Sequence, residues 1–401
     1  MKQYLGVRIA KLKNILYLHA GAEMYGADKI LLELVTKLDK RKFNPVVILP
    51  TNGILVERLQ TAGIETYVIE YPILRRKYFN LRGIKNYMLN YFSESNKIVK
   101  LLKEKNIKID IIHTNTTAVL EGIYLKKKLH AKLLWHVHEI ILKPKLIYKS
   151  ISYLVGKYAD ECIVVSEAVK KHLIDSKLVA VQKIKVIYNG VDSNAFSPNV
   201  PCEYLNDEWG VPSNAIKIGV IGRINAWKGQ NDFLDALEPI MNECKNLYLF
   251  VIGSAFAGQE WRVDQIRKRI LSNKENDRII YSEFRKDNAA IHNFLDILVL
   301  PSTNPDPLPT VVLEAMASGK PIVGYAHGGI TEMVVDGKNG LLAKVNDPKE
   351  LQKKIVELIS SEEKIAKFGN FSRKRQVEKF SLEAFIDEFE NTYIGMEKIV
   401  G

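Results

Sequence analysis

The chain has 401 residues, 47% apolar and 26% charged, with 24 Gly and 14 Pro, enough length for two to three domains and a composition that excludes a disordered or collagenous chain. Its three cysteines, Cys162, Cys202 and Cys244, stand too far apart for a zinc site or a disulfide framework, and no run of about 18 apolar residues exists, so a reducing compartment fits and secretion or membrane spanning does not. The net charge of +12 is lopsided, with 33 Lys and Arg against 17 Asp and Glu in residues 1–195 and 25 against 29 in the rest; only the first half could meet nucleic acid, an anionic membrane leaflet or an anionic substrate, unless it is simply a solvated lysine-rich face.

Short runs rich in β-branched residues alternate with stretches of helical period, which predicts parallel strands joined by crossover helices. The first strand is expected at 14–19. A loop follows it, HAGAEMYGADK (residues 19–29), with Gly21 and Gly26 ahead of a helix at 30–38. It lacks the dinucleotide fingerprint and suits either close approach to a ligand or a merely tight turn. Further strands are expected at 46–50, 65–69, 110–115, 132–138, 162–166 and 185–188. Residues 75–108 hold ten Lys and Arg against Glu94 and Glu104, interleaved with Tyr78, Phe79, Tyr87, Tyr91 and Phe92. Residues 189–209, polar and carrying Pro198 and Pro201, read as a linker with a boundary near residue 195. The pattern then restarts, with strands at 217–221, 247–252, 278–281, 297–300 and 322–324. From residue 350 it is helical, ending in one long helix over 380–399. The expected organisation is α/β, with doubly wound parallel-sheet domains at 1–195 and 196–379, facing each other across a cleft, and a terminal helix at 380–401. Ligands of open α/β sheets bind at the carboxyl ends of the strands, so chemistry belongs in the strand-end loops.

The most informative stretch is PSTNPDPLPTVVLEAMASGKPIVG (residues 301–324). A proline-rich turn leads into a helix at 310–318 that closes at Gly319. Val311, Val312, Leu313, Ala315, Met316 and Ala317 make this helix apolar nearly all round, hence buried. Glu314 in its middle is therefore costly unless it pairs or binds something, and Asp306, across the turn with seven residues intervening, is its candidate partner. Pro307 and Pro309 have no N–H, which leaves the amides of Leu308, Thr310 and Val311 at the helix start to hold a phosphate or sugar hydroxyls. In IGVIGRINAWKG (residues 218–229) a strand ends at Gly222-Arg223 and its loop carries Lys228. Two cations five residues apart at a strand end suit a diphosphate, Arg as a fork and Lys as a point charge, although such pairs also occur as plain surface charges. His327 and Glu332, near Gly328 and Gly329, are weaker candidates, and the cysteines read as core residues.

These residues carry a resemblance over nearly the whole chain. Gly26-Ala27-Asp28, His136-Val137-His138-Glu139, Val164-Val165-Ser166, the run Val186 to Asp192, Gly222-Arg223, Lys228-Gly229, Pro301-Ser302, Glu314 to Gly319 and Gly328-Gly329 occur in the order and spacing of the retaining glycosyltransferases with two Rossmann-like domains. The chain resembles the large family 4 of the GT-B fold, which builds bacterial surface polysaccharides and glycolipids. The resemblance implies that Glu314 holds the ribose hydroxyls of the nucleotide, that Asp306 faces the transferred sugar, and that Arg223 and Lys228 bind the donor diphosphate. It also implies that the Gly26 backbone approaches that diphosphate from the first domain and that His138, rather than His136, lies near the sugar. Asp306 stands where the family has Glu, one methylene longer, and Glu283 stands where it often has Gly, which leaves the hexose and the base open.

The reading is a retaining, metal-independent hexosyltransferase with no cofactor beyond its donor substrate. Its catalytic residues are His138, Asp306, Arg223 and Lys228; its donor-binding residues are Gly26, Arg223, Lys228, Leu308, Thr310, Val311 and Glu314. The expected partners are a nucleotide-sugar donor, a saccharide or lipid-linked acceptor and an anionic membrane surface, with no nucleic acid. The expected location is the cytoplasm, with peripheral association at the inner face of the plasma membrane left open. The alternatives are a nucleotide-sugar epimerase of the same fold, or a non-enzymatic polyanion-binding protein using the basic half.

Overall fold

A computed structural model describes residues 12–75 and 78–396; Lys11, Arg76 and Lys77, part of the basic features read from the sequence, lie outside them. Among the described residues thirteen strands, joined by their connecting helices, form two sheets, every adjacent pair parallel. The first sheet comprises β1 (Lys13–His19), β2 (Phe43–Leu49), β3 (Glu65–Val68), β4 (Ile111–Asn115), β5 (Lys132–Val137), β6 (Glu161–Val164) and β7 (Ile184–Val186), in the order β3-β2-β1-β4-β5-β6-β7. The second comprises β8 (Ile216–Ile221), β9 (Leu247–Ile252), β10 (Ile279–Ser282), β11 (Ile297–Leu300), β12 (Ile322–Tyr325) and β13 (Gly340–Ala343), in the order β10-β9-β8-β11-β12-β13. Both are doubly wound, and in each the chain reverses its direction of growth between two central neighbours, β1/β4 and β8/β11. Helices cover both faces of such sheets, so the strands are apolar throughout: Ile15 to Leu18, Val46 to Leu49, Leu133 to Trp135, Leu249 to Val251 and Ile297 to Val299 are all buried.

The chain divides into two compact units. One takes the chain up to Val165, Val169–Ile187 and the chain from Ile386; the other takes Ser166–Ala168 and Tyr188–Phe385. The boundary read near residue 195 thus lies just inside the second unit. The terminal helix Leu382–Gly395 contributes Phe389 and Tyr393, both fully buried, to the first. There the Tyr393 hydroxyl meets those of Tyr17 at 2.9 Å and the His113 ring at 2.7 Å.

Three local expectations need correction. The segment read as a linker contains the helix Tyr204–Trp209, whose Leu205 is buried; six residues are too few to show a period. The first helix starts at Gly26, four residues early, because Asp28 at its third position accepts the Tyr25 amide at 2.9 Å and so secures the first turn. Strand β13 was missed, since Gly-Leu-Leu-Ala has no β-branched residue and only pairing with β12 makes it a strand.

Candidate active site

In the second unit the crevice position of a doubly wound sheet falls at the carboxyl ends of β8 and β11. After β8, Gly222 turns the chain at φ 150° and Arg223 follows. The Arg223 guanidinium lies 3.4 Å from the centre of the Phe256 ring, so an aromatic face from the loop after β9 orients it. Asn225 Oδ1 accepts the amides of Trp227 and Lys228 at 3.0 and 2.9 Å, closing the loop. Gly229 then enters the helix Gln230–Leu237 at φ 75°, where a Cβ would lie 1.8 Å from the Pro301 carbonyl oxygen. Only glycine allows this contact. It presses Lys228 against the loop after β11, where its ammonium forms an ion pair with Asp306.

Asp306 is buried, and two glycines from the loop after β12 pack on its backbone. Gly329 donates its N–H to the Asp306 carbonyl at 2.8 Å, and a Cβ on Gly328 would sit 2.5 Å from that oxygen. Among the described residues the Asp306 carboxylate caps no backbone amide; its partner is Lys228. Three residues on, the helix Thr310–Ala317 starts at an N-cap Pro309 that offers no side-chain cap, and among the described residues the amides of Leu308, Thr310 and Val311 meet no protein acceptor. These are donors at a helix amino terminus, suited to an anion or to hydroxyl oxygens. Glu314 is almost fully buried, and it does not pair with Asp306 as expected. Its Oε2 accepts from Asn288 Nδ2 at 2.9 Å and from His292 Nε2 at 3.0 Å, both on the neighbouring helix Asn288–Phe294. His327 Nε2–H donates to the Ser302 carbonyl at 2.6 Å. The Glu332 carboxylate accepts the amides of Glu167 and Ala168, each at 2.8 Å, and so acts as a backbone cap.

The first unit has its own cluster at the carboxyl ends of β1, β4 and β5. His19 Nε2–H donates to Asp28 at 2.8 Å, Asn115 Nδ2 donates to His19 Nδ1 at 2.9 Å, and His138 Nε2–H donates to Asn115 Oδ1 at 2.7 Å. This chain ties Asp28, two residues past Gly26 in the helix Gly26–Lys37, to His138 and fixes the His138 tautomer. Burial, with a smaller contribution from His19, pushes the His138 pKa down to about 3, so the ring is neutral at pH 7. His136 is a core residue whose Nδ1 faces His113 Nε2 at 3.3 Å. Thr116 beside Asn115 is held at φ 126°, a strained value for a β-branched residue. Glu139 secures it by accepting the Thr116 hydroxyl and the amide and hydroxyl of Thr117. Sequence reasoning did not single out Asn115, Asn288, His292 or Phe256. For the pair Asn288 and His292 a signal existed, two polar residues at i, i+4 and so on one face of a helix whose other residues, Asn293 apart, are apolar. No group of three or more His, Cys, Asp or Glu among the described residues is placed to hold a metal ion.

Comparison with known proteins falls on the same two halves. Residues 24–195 match the family model described as Glycosyltransferase Family 4, and residues 204–375 match Glycosyl transferases group 1. The fold matches a crystal structure of Anabaena Alr3699/HepE in complex with UDP and glucose at a TM-score of 0.81 and 25% identity, over 94% of this chain and 98% of that one. The chain belongs to the glycosyltransferases of the GT-B fold. Among its relatives, the UDP-Gal:alpha-D-GlcNAc-diphosphoundecaprenol alpha-1,3-galactosyltransferase of Escherichia coli is 23% identical over 92% of this chain and 94% of that protein. The capsular polysaccharide biosynthesis glycosyltransferase CapM of Staphylococcus aureus is 28% identical over 61% of this chain and 64% of that protein.

Proposed function

We propose that this glycosyltransferase moves a hexosyl group, with retention of configuration and without a metal ion, from a nucleoside diphosphate sugar to a hydroxyl of a lipid-linked saccharide, in surface polysaccharide or glycolipid synthesis on the cytoplasmic side. The observation that carries this reading is the arrangement at the ends of β8 and β11. Arg223 and Lys228 share one strand-end loop, Lys228 meets Asp306, and unpartnered amides open the helix that holds Glu314. Such fixed cations and amides stabilise the charge that grows on a departing diphosphate, the task a divalent ion performs elsewhere. In the proposed step the bond from the anomeric carbon to the diphosphate oxygen breaks while a bond to the acceptor oxygen forms on the same face, and the acceptor proton passes to the departing diphosphate. Glu314 takes the ribose hydroxyls and Asp306 the transferred sugar. From the first unit the Gly26 amide serves the diphosphate, and neutral His138, steadied by Asn115, orients a sugar or acceptor hydroxyl. The UDP and glucose named with the Anabaena structure and the lipid-linked acceptor in the name of the E. coli relative support the choice of substrates.

A panel of UDP- and GDP-sugars read by thermal shift, followed by turnover with lipid-linked acceptors, tests this. One donor should raise the melting temperature, since a ligand bound only by the native state stabilises it. Product with the same anomeric configuration as the donor should then form in EDTA. Loss of turnover in EDTA with rescue by added metal overturns the metal-free mechanism, and product formed from donor alone indicates epimerisation instead.

A further inference from the structure

Among the described residues no helix is long and apolar enough to cross a membrane, yet one helix of the first unit keeps an apolar stripe outside. The helix Leu81–Glu104 buries Tyr87, Tyr91, Ser95, Ile98 and Leu102 against its sheet. A second stripe, Leu81, Ile84, Met88 and Phe92 at i, i+3, i+7 and i+11 with Leu89 beside it, is exposed. Leu81 is 90% and Leu89 60% accessible. A helix with one face in the core has no structural need for a second apolar face, and isolated exposed apolar residues do not line up in this way.

Position and charge indicate what covers it. A crossover helix between parallel strands starts at the carboxyl edge of its sheet and returns to the amino edge. Leu81 therefore lies at the edge that carries the His138 loop, and the stripe runs about 16 Å down the flank to Phe92. Exposed Arg82 and Lys85 flank its start. Phe92 also lines an open cavity of about 760 Å³, shared with Tyr91, Tyr124, Lys126, Lys127 and Lys128. Lys126 is matched by Asp160 at 2.8 Å, while Lys127 and Lys128 are exposed. An apolar ridge bordered by cations, next to an aromatic cavity with a cationic rim, is complementary to acyl chains beneath anionic headgroups, and the first half of the chain is the strongly basic one.

We propose that the first unit docks on an anionic lipid bilayer through the stripe Leu81 to Phe92, with Arg82, Lys85, Lys127 and Lys128 facing the headgroups. This surface would hold the sheet edge bearing His138 near the membrane plane, where a lipid-linked acceptor is presented, but docking itself does not depend on the catalytic reading. The test is co-sedimentation of the full chain with phosphatidylcholine vesicles with and without phosphatidylglycerol, at low and high salt. Engagement of three of these four cations is enough to favour the anionic vesicles by about a hundredfold, and salt should erase most of that preference. The double variant Leu81→Glu/Leu89→Glu, altered only at exposed positions, should keep its melting temperature and its stabilisation by nucleoside diphosphate while losing vesicle binding. Equal partition onto both vesicles, or unchanged binding by the double variant, overturns the proposal. A dimer in solution that the same substitutions dissolve, without vesicle binding, assigns the stripe to a second copy of the chain.

Discussion

Glu314 shows how far single residues can be read. A carboxylate inside an apolar helix announces its own cost, so its importance was visible in the sequence; its partners were not. They come from Asn288 and His292, more than twenty residues away, and only packing of the two helices brings them to 2.9 and 3.0 Å. Asp306, close in sequence, is instead drawn to Lys228 across the strand ends. Glu314 is thus held by the fold on one side and proposed to hold ribose hydroxyls on the other, and the two tasks separate experimentally. His292→Ala removes one internal partner and should lower stability by about 1–3 kcal/mol, the cost of an unsatisfied buried group, with little change in nucleoside diphosphate affinity. Glu314→Ala should lose similar stability and also at least about 2 kcal/mol of nucleotide binding, roughly thirtyfold in Kd. Melting temperature and calorimetric titration on both variants decide the matter, and a Glu314→Ala protein that melts early yet binds nucleotide as the wild type does would leave a purely structural carboxylate.

Elements were legible where both faces are buried. Strands β9 and β11 fall where the apolar runs placed them, and β1, β4 and β8 within one residue, because a continuous apolar run flanked by turns admits few alternatives in a covered sheet. The failures share a cause, since β13 and the helix Tyr204–Trp209 are short and owe their form to neighbours rather than to pattern. What the sequence hid altogether is how the strand-end loops interlock through glycines whose need is steric. Gly229 is the sharpest case, with φ 75° and the Pro301 carbonyl 1.8 Å from any added Cβ, whereas Gly337 has the same φ and open space around it. Gly337→Ala should therefore cost only the left-handed backbone penalty, about 1 kcal/mol. Gly229→Ala must also push the loop after β8 off the loop after β11 and part Lys228 from Asp306, so turnover should fall by at least about a hundredfold, equivalent to some 2.7 kcal/mol of transition-state stabilisation. Urea unfolding and steady-state kinetics on the two variants provide the comparison; similar, mild effects in both would mean that the interlock does not position Lys228.

At the scale of the whole molecule the division into two doubly wound units was legible from the restart of the strand pattern, but the return of the terminal helix to the first unit was not, because nothing in an amphipathic helix names the surface it covers. That first unit carries an unusual set of buried ionisable groups, and they dictate its pH dependence. His113, His136 and His138 have pKa values lowered chiefly by burial, that of His138 to about 3. Glu121, fully buried with Oε1 unpartnered, has its own raised by burial to about 8. A histidine neutral in the fold but protonated when unfolded costs stability as pH falls below its ordinary value near 6.5. A carboxyl protonated in the fold but ionised when unfolded costs stability as pH rises from about 4.5 to about 8. Between pH 4.5 and 6.5 the unfolded chain takes up three protons on these histidines against one retained by folded Glu121, so stability climbs with pH. Above 6.5 only Glu121 remains in play and stability declines until about pH 8, giving a maximum near pH 6.5 from these groups. Trp135 is the one tryptophan of the first unit, the other three being Trp209, Trp227 and Trp261. Urea unfolding followed by Trp135 fluorescence, with those three replaced by Phe, therefore reports this unit. Glu121→Gln should abolish the decline above pH 6.5 and steepen the rise between pH 4.5 and 6.5, from a net two protons to three. A decline that persists in Glu121→Gln would show that the buried carboxyl is not its source.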